Sequence, residues 1–349
     1  MAMSPDSRTA LSAGGPLAAL PARIGLAALP TPLVPAPRLG AALGTGQLYV
    51  KRDDLTGFGF GGNKARLLEF LVAAARDQGA DTLVTGGAAG SNFCAATAAA
   101  ARRAGLGCQL LISGQPSQRS PGLDLARGWG AAIRWTRATE RASVDAGLPG
   151  AAAALAAAGQ RPYLIPRGGA TALGAIGYAL AAGELHGQLA CRGLRADCVL
   201  VAVGSGGTLA GLLAGSALLG RPWRLTGASV SRPPGEAARR VLQLARDCLA
   251  LLTGPGQHDG EGAGPAAAVA AGDFDLVDAR GPGHGVASAD GDYAADAALR
   301  AEGLVVDPVY TAKALAALGG VAAGRSAVFW HTGGLLDAIA AAGRTGDAG

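Results

Sequence analysis

The chain has 349 residues, half of them hydrophobic but only 4% aromatic, and its 30 basic and 25 acidic residues give a formal charge of +5. The length predicts about two domains, with cores of Ala, Leu and Val packed through closely approaching small-residue helices. The basic residues are scattered rather than gathered in a stripe, which argues against nucleic-acid binding, and the five cysteines (Cys94, Cys108, Cys191, Cys198, Cys248) and four histidines show neither CxxC nor HxxxH spacing, so no disulfide framework or metal site is signalled and a reducing, cytoplasmic setting fits.

The first stretch, "MAMSPDSRTALSAGGPLAALPARIG", lacks a basic start and an unbroken apolar core, so no secretion signal is expected. No run approaches the roughly 18 apolar residues of a membrane span. "LYVKR" (Leu48 to Arg52) alternates like a short strand, and a glycine run follows. Asn63 then reads as the N-cap of a helix over "KARLLEFLVAAARDQGA" that ends at Gly79. "DTLVTGG" is a strand ending in glycines, "SNFCAATAAAARRAG" a helix closed by Gly105, and "LGCQLLIS" and "LDLARGWGA" repeat the pair. This alternation predicts an α/β fold with a parallel sheet and crossover helices. A second α/β block starts with "RPYLIPRGG" as a strand into a glycine turn. The helix "ALGAIGYALAAGELHGQL" follows, then "DCVLVAVGSGGTLAGLLAGSALLG", the clearest strand-to-helix turn in the chain. "GPGQHDGEGAGPAAAVAAG" (Gly254 to Gly272) reads as a low-complexity surface loop.

Lysine occurs at Lys51, Lys64 and Lys313 alone; every other basic residue is arginine. Retained lysine hints that an amine is needed, because an amine can lose its proton and become a nucleophile whereas a guanidinium cannot. Lys64 closes a glycine-rich run in which Gly57, Gly59 and Gly62 satisfy GxGxxG. The dinucleotide reading is weak, since "KRDDLT" separates strand from glycines. The nucleotide-hydrolase reading is weaker, since Asn63 is inserted before the lysine and Ala65 stands where a hydroxyl would meet magnesium.

"VAVGSGGTLAG" differs, because apolar residues lead straight into Gly204, Ser205, Gly206, Gly207 and Thr208 and then a helix. Converging backbone N–H groups, the helix N-terminus and two hydroxyls make a phosphate cup; the bland alternative is a tight turn without a ligand. A phosphate cup without magnesium chemistry and a distant lysine amine together point to pyridoxal phosphate. The glycines before Lys64 would then let the backbone pass close to a planar cofactor.

Six segments in order, "VKRDDLTG...GGNKARLLEF", "GSNFCAATAAAA", "YLIPRGGATALGAIGY", "VGSGGTLAG", "EGLVVDPVYTAKAL" and "HTGG", resemble the D-cysteine desulfhydrase and 1-aminocyclopropane-1-carboxylate (ACC) deaminase family. These are fold-type-II, tryptophan-synthase-β-like enzymes. The resemblance runs from about residue 33 to about residue 334 of this sequence. It implies two open, mostly parallel twisted sheets flanked by helices, with the cofactor in the cleft between a large domain (1–65 and 172–349) and a small inserted domain (66–171). A homodimer is the family expectation.

By that resemblance Lys64 joins the cofactor's aldehyde and serves as the base, Gly204 to Thr208 hold its phosphate, and Asn63, Asn92, Thr311 and Thr332 contact it. Asn92 would meet the ring hydroxyl and Thr311 the pyridine nitrogen. Ser91 would meet the substrate carboxylate or assist proton transfer, although a plain N-cap is the bland reading. Tyr310 would look onto the substrate. ACC deaminases are expected to carry an acidic residue at the position of Thr311 and an apolar one in "HTGG", whereas Thr311 and Thr332 resemble the desulfhydrases. A neutral hydroxyl makes the ring a milder electron sink, which suits β-elimination.

Two departures bear on the substrate. Phe93 follows "SN" where the family has His or Gln, and His284 stands in "GPGHG" where the family has a tyrosine. Imidazole titrates near neutrality, so His284 could be a new acid, base or recogniser, or a satisfied loop histidine. The expected activity is elimination from cysteine or a related β-substituted amino acid, giving pyruvate, ammonia and a thiol, sulfide or sulfite. ACC ring opening, or a divergent pyridoxal-phosphate binder with another amino-acid substrate or little turnover, is the alternative.

Overall fold

The computed structural model describes Leu11 and residues 19–254 and 269–346, with side chains through residue 341. Most of the N-terminal stretch and of the low-complexity loop therefore lies outside the described residues. The described residues form two sheets, of six strands in the order β1-β2-β10-β7-β8-β9 and of four in the order β5-β4-β3-β6.

The larger sheet draws on both ends of the chain: β1 (Leu33–Pro35), β2 (Leu48–Arg52), β7 (Cys198–Val203), β8 (Arg224–Ser229), β9 (Phe274–Asp278) and β10 (Ala327–His331). β1 runs antiparallel to β2, and every other pairing is parallel. β7 is buried along its whole length, as its unbroken apolar run requires of a strand covered on both faces. β10, "AVFWH", lies between β2 and β7 and is equally buried.

The smaller sheet comprises β3 (Thr82–Ala88), β4 (Gly107–Ser113), β5 (Ala132–Trp135) and β6 (Pro162–Leu164), all parallel. Here one expectation is corrected. "RPYLIPRGG", expected to open the second block, instead supplies β6, which pairs with β3 through Thr82↔Pro162. It closes the small sheet, and the chain crosses over only afterwards, in the helix Ala172–Cys191.

Small residues do bring helices together as the composition suggested. A Cβ added to Gly211, in the helix Gly207–Leu218, would lie 2.1 Å from the Ala175 carbonyl oxygen of the helix Ala172–Cys191. No side chain fits such a backbone-to-backbone approach.

Under the larger sheet sits a buried ionic cluster. Asp53 accepts from Arg66 Nε and Nη2 (both 2.9 Å), from Thr31 Oγ1 (2.7 Å) and from Tyr178 (2.5 Å). Glu184 accepts from Arg66 Nη1 at 3.0 Å and from Lys51, whose amine also donates to Gln188 at 2.9 Å. Two cations thus face two carboxylates. Burial pushes the Asp53 carboxyl up, but the Arg66 guanidinium beside it prevails and holds it well below the usual carboxylate range.

Candidate active site

Lys64 is the first residue of the helix Lys64–Asp77, reached from β2 through the turn Asp53–Leu55 and the glycine run. Gly57, Gly59 and Gly62 all adopt left-handed φ, of +72°, +54° and +52°. A Cβ on Gly62 would sit 2.2 Å from the Thr332 carbonyl oxygen. Gly62 thereby permits a tight approach to Thr332, and Gly59 and Gly61 permit close packing on Ala99 and Ala96. Asn63 N–H donates to Thr332 O at 2.9 Å, so the segment before Lys64 is fastened to the end of β10.

Asn63 occupies the N-cap position but makes no capping hydrogen bond. Its side-chain amide reaches across to donate to Thr208 Oγ1 at 2.9 Å. A contact spanning 145 positions thereby brings the residue before Lys64 onto the glycine cup. In that cup Gly206, at φ +98°, precedes the helix Gly207–Leu218 with no side-chain cap. The first N–H groups of a helix have no carbonyl partner within it, and they carry its partial positive charge.

The three lysines have separate situations. Lys51 belongs to the buried cluster, and Lys313 donates to the carbonyls of Arg280 (2.7 Å) and Gly283 (2.8 Å), pinning the loop that carries His284. Lys64 is half-buried, and among the described residues its amine makes no hydrogen bond or ion pair. Burial, with no carboxylate to offset it, lowers its amine to about 8. Of the two causes the sequence left open, cationic neighbour or apolar surroundings, the second operates.

Tyr310 and Thr311 start the helix Thr311–Ala316. The Tyr310 ring lies 3.1 Å from where a Cβ on Gly204 would stand, so it borders the cup. Its hydroxyl meets His284 Nε2 at 3.1 Å, with the two rings edge to face. Burial, reinforced by Asp307, pushes the phenol up to about 12. Thr311 is fully buried; its hydroxyl donates to Asp307 Oδ2 (2.5 Å) and accepts from Asp307 N–H (2.7 Å). A carboxylate thus stands one hydrogen bond behind the residue expected to meet the pyridine nitrogen. Asp307 lies within the "DPVYT" run and was readable there.

His284 does not titrate near neutrality. Burial, then the charges of Arg141, Lys313, Arg167 and Arg232, lower it from 6.5 to about 4. The folded state keeps the ring neutral where the unfolded state takes up a proton, so His284 makes stability fall as pH drops through 6.5 towards 4. Urea unfolding midpoints at pH 7, 6 and 5 are expected to decline, with a shallower decline in His284→Gln. Equal slopes would contradict the assignment.

Ser91 caps the helix Asn92–Ala104, its hydroxyl accepting from Cys94 N–H at 3.3 Å, as the bland reading held. Asn92 Nδ2 donates to Asp337 Oδ2 at 2.8 Å, which joins this helix to the segment following Thr332. Phe93 is buried, and its ring fills the space beside Gly169, where an added Cβ would come within 2.5 Å. It therefore supports the "PRGG" loop from below. The next glycine back, Gly168, lies against Ser205, where an added Cβ would come within 2.8 Å of its side chain. Arg232 and Arg240, which no motif in the sequence marked, donate to the Gly204 and Ser205 carbonyls at this place, and Arg167 of the "YLIPRGGATALGAIGY" segment adjoins Gly168.

These residues suit pyridoxal phosphate. The uncapped helix N-terminus offers N–H donors to a phosphate, Ser205 and Thr208 add hydroxyls, and an unpaired amine of reduced proton affinity is tied to the same place through Asn63. A model of the family described as pyridoxal-phosphate dependent enzyme matches residues 24–333. The chain belongs to that family.

Among its relatives, a protein of Pyrococcus abyssi (strain GE5 / Orsay) whose name proposes 1-aminocyclopropane-1-carboxylate deaminase is 38% identical over 323 residues, covering 90% of this chain and 92% of the relative. A D-cysteine desulfhydrase of Salmonella choleraesuis (strain SC-B67) is 39% identical over 326 residues, covering 89% and 94%. A crystal structure of an ACC deaminase homologue superposes with a TM-score of 0.81 at 31% identity, covering 96% of each chain. The expected α/β, fold-type-II architecture and the cofactor are therefore borne out.

Proposed function

We propose that this pyridoxal-phosphate dependent enzyme is a lyase that eliminates a substituent from Cβ of cysteine or a related β-substituted amino acid. The products are pyruvate, ammonia and the departing thiol, sulfide or sulfite. The observation that carries the reading is Lys64: a half-buried amine without a partner, lowered to about 8 by burial and tied through Asn63 to an open helix N-terminus. Such an amine is neutral often enough near pH 7 to accept the Cα proton.

Pyridoxal phosphate, when bound, supplies an aldehyde for the substrate's amine and a conjugated ring that spreads negative charge from Cα. The chain's own groups do the rest in this reading. The Gly204 to Thr208 cup anchors the phosphate, Asn63 and Thr332 fix the start of the Lys64 helix, and Thr311, backed by Asp307, faces the pyridine nitrogen. Ser91 and Asn92, at a helix N-terminus, receive the substrate carboxylate and the ring hydroxyl. Tyr310, with neutral His284 against its hydroxyl, borders the Cβ substituent. Phe93 acts by shaping the "PRGG" loop.

We place the catalytic cleft between a large domain (1–65 and 172–349) and a small one (66–171), in a cytoplasmic homodimer. The five cysteines are free thiols, which suits a reducing compartment, and no described helix is long and apolar enough to cross a membrane.

ACC ring opening is the second reading, favoured by the names of the Pyrococcus relative and the solved homologue. Incubation with D- and L-cysteine, L-cysteate, β-chloroalanine, D-serine and ACC, read as pyruvate, sulfide and 2-oxobutyrate, separates the two. Pyruvate from a β-substituted amino acid is expected; 2-oxobutyrate from ACC alone would overturn the elimination reading.

A further inference from the structure

Three side chains hold the glycine cup by its carbonyls. Gly204 O accepts from Arg232 Nη1 at 2.8 Å and from Ser231 Oγ at 3.0 Å, both residues lying just after β8. Ser205 O accepts from Arg240 Nε at 2.9 Å, its sole partner among the described residues. Arg240 stands on the helix Pro234–Thr253, which packs on the cup: a Cβ on Gly206 would lie 3.3 Å from Val241 Cγ2 and 4.0 Å from Arg240 Cγ. Arg232 is drawn to the same side, where its Nε donates to Glu236 at 2.9 Å. Two consecutive carbonyls are thus turned towards one helix.

A trans peptide unit is planar, and its C=O and N–H point in opposite directions. The Gly204 carbonyl shares its unit with the Ser205 N–H, and the Ser205 carbonyl shares its unit with the Gly206 N–H. Fixing the two oxygens towards the helix Pro234–Thr253 therefore turns these two N–H groups away from it. Neither finds an acceptor among the described residues. The N–H groups of Gly207 and Thr208 follow, and as the first of their helix they lack intrahelical carbonyls. Consecutive open donors of this kind suit an anion. Glycine at 206 admits either orientation of the unit before it, so the backbone does not choose between them and the bond from Arg240 does. A cation on the carbonyl also polarises the unit and strengthens its N–H as a donor.

We propose that Arg240, and with it Arg232, are positioning residues for the cofactor's phosphate: from the carbonyl side of the cup they set and polarise the Ser205 and Gly206 N–H groups that receive it. This rests on the placement of the phosphate at Gly204 to Thr208 in the reading above. Arg240 has the larger part, because Ser231 stays on the Gly204 carbonyl when Arg232 is removed, whereas the Ser205 carbonyl has no second donor among the described residues.

The full-length chain, stripped of cofactor and titrated with pyridoxal phosphate and with pyridoxal, which lacks the phosphate, tests this through visible absorbance. Arg240→Met keeps an apolar stem over Gly206 and is expected to weaken pyridoxal phosphate about tenfold or more, the value of one charge-assisted hydrogen bond, while changing pyridoxal by no more than about twofold. Arg232→Met should show the same selectivity with a smaller loss. Arg239→Met removes the same charge from an exposed neighbour that makes no hydrogen bond to the cup among the described residues, and should leave both affinities as they are. In the reloaded Arg240→Met protein the phosphorus resonance of the cofactor should move from its wild-type position.

Undiminished binding of pyridoxal phosphate by Arg240→Met, equal weakening of pyridoxal, or the same loss in Arg239→Met overturns the proposal. If Arg240→Met does not fold, Arg232→Met/Ser231→Ala, which frees the other carbonyl, decides by the same contrast. A wild type that binds pyridoxal phosphate no more tightly than pyridoxal removes the phosphate from the cup, and so the reading on which the proposal rests. A wild-type preference that neither arginine variant diminishes removes the role of the arginines alone.

Discussion

Lys64→Ala is expected to reduce pyruvate formation from every amino acid the wild type accepts by about 10²–10⁴-fold or more, the range associated with a positioned acid–base group. The fold should survive. The Lys64 amine makes no hydrogen bond or ion pair among the described residues, so its removal leaves no partner stranded. It opens its helix, where alanine is a good helix former. Turnover and thermal melting measured on the same preparation separate the outcomes. Activity within a few-fold of wild type, or loss of activity together with unfolding, would contradict this account of Lys64.

The second large effect falls on stability. Asp53→Ala is expected to cost about 3–5 kcal/mol, because it strips a buried guanidinium of one of its two carboxylates. Of its carboxylates Arg66 would keep Glu184 alone, which Lys51 already shares; Thr31 would be left with its longer bond to Glu184 at 3.3 Å, and Tyr178 would lose its acceptor. Urea unfolding should also show the pH sign. The Asp53 carboxyl is held below its ordinary value of 3.8, so its contribution is present above that pH and is lost as pH falls through the lower folded value. The double variant Asp53→Ala/Arg66→Met should be less destabilised than the sum of the single changes, because the stranded cation is gone. Simple additivity would mean that the ion pair itself contributes little. Arg66 lies two residues beyond Lys64, so cofactor content should fall in the single variant as well.

The sequence made the alternating helix-strand pattern legible because long apolar-periodic helices and glycine-closed strands are local signals. Gly105 ends its helix in the left-handed conformation at φ +73°, as a C-terminal glycine should. β10 carried no such signal: "AVFWH" is a short apolar run whose place between β2 and β7 depends on pairing with strands from both ends of the chain. β6 is only three residues long, and nothing in "RPYLIP" says which neighbour it will pair with.

At the site, local reading gave Lys64 and the glycine cup and joined them only through cofactor chemistry. The bond from Asn63 to Thr208 is the physical link, and a cap-like asparagine gives no sign of reaching across the chain. Local reading failed for the protonation of His284, since it follows from burial and from the charges that gather around it only after folding. Imidazole ordinarily titrates near neutrality, yet burial, joined by three arginines and a lysine, keeps His284 neutral. Phe93 stands where the family places a polar contact near the substrate or cofactor, and its packing against Gly169 depends on a loop distant in the chain, which local reading does not show.

The attachment of the cofactor to Lys64 is tested most directly by reducing the purified, visibly absorbing protein with borohydride and mapping the modified peptide by mass. The predicted result is a single pyridoxyl group on Lys64. A pyridoxyl group on Lys51 or Lys313, or none in a protein without visible absorbance, would contradict it.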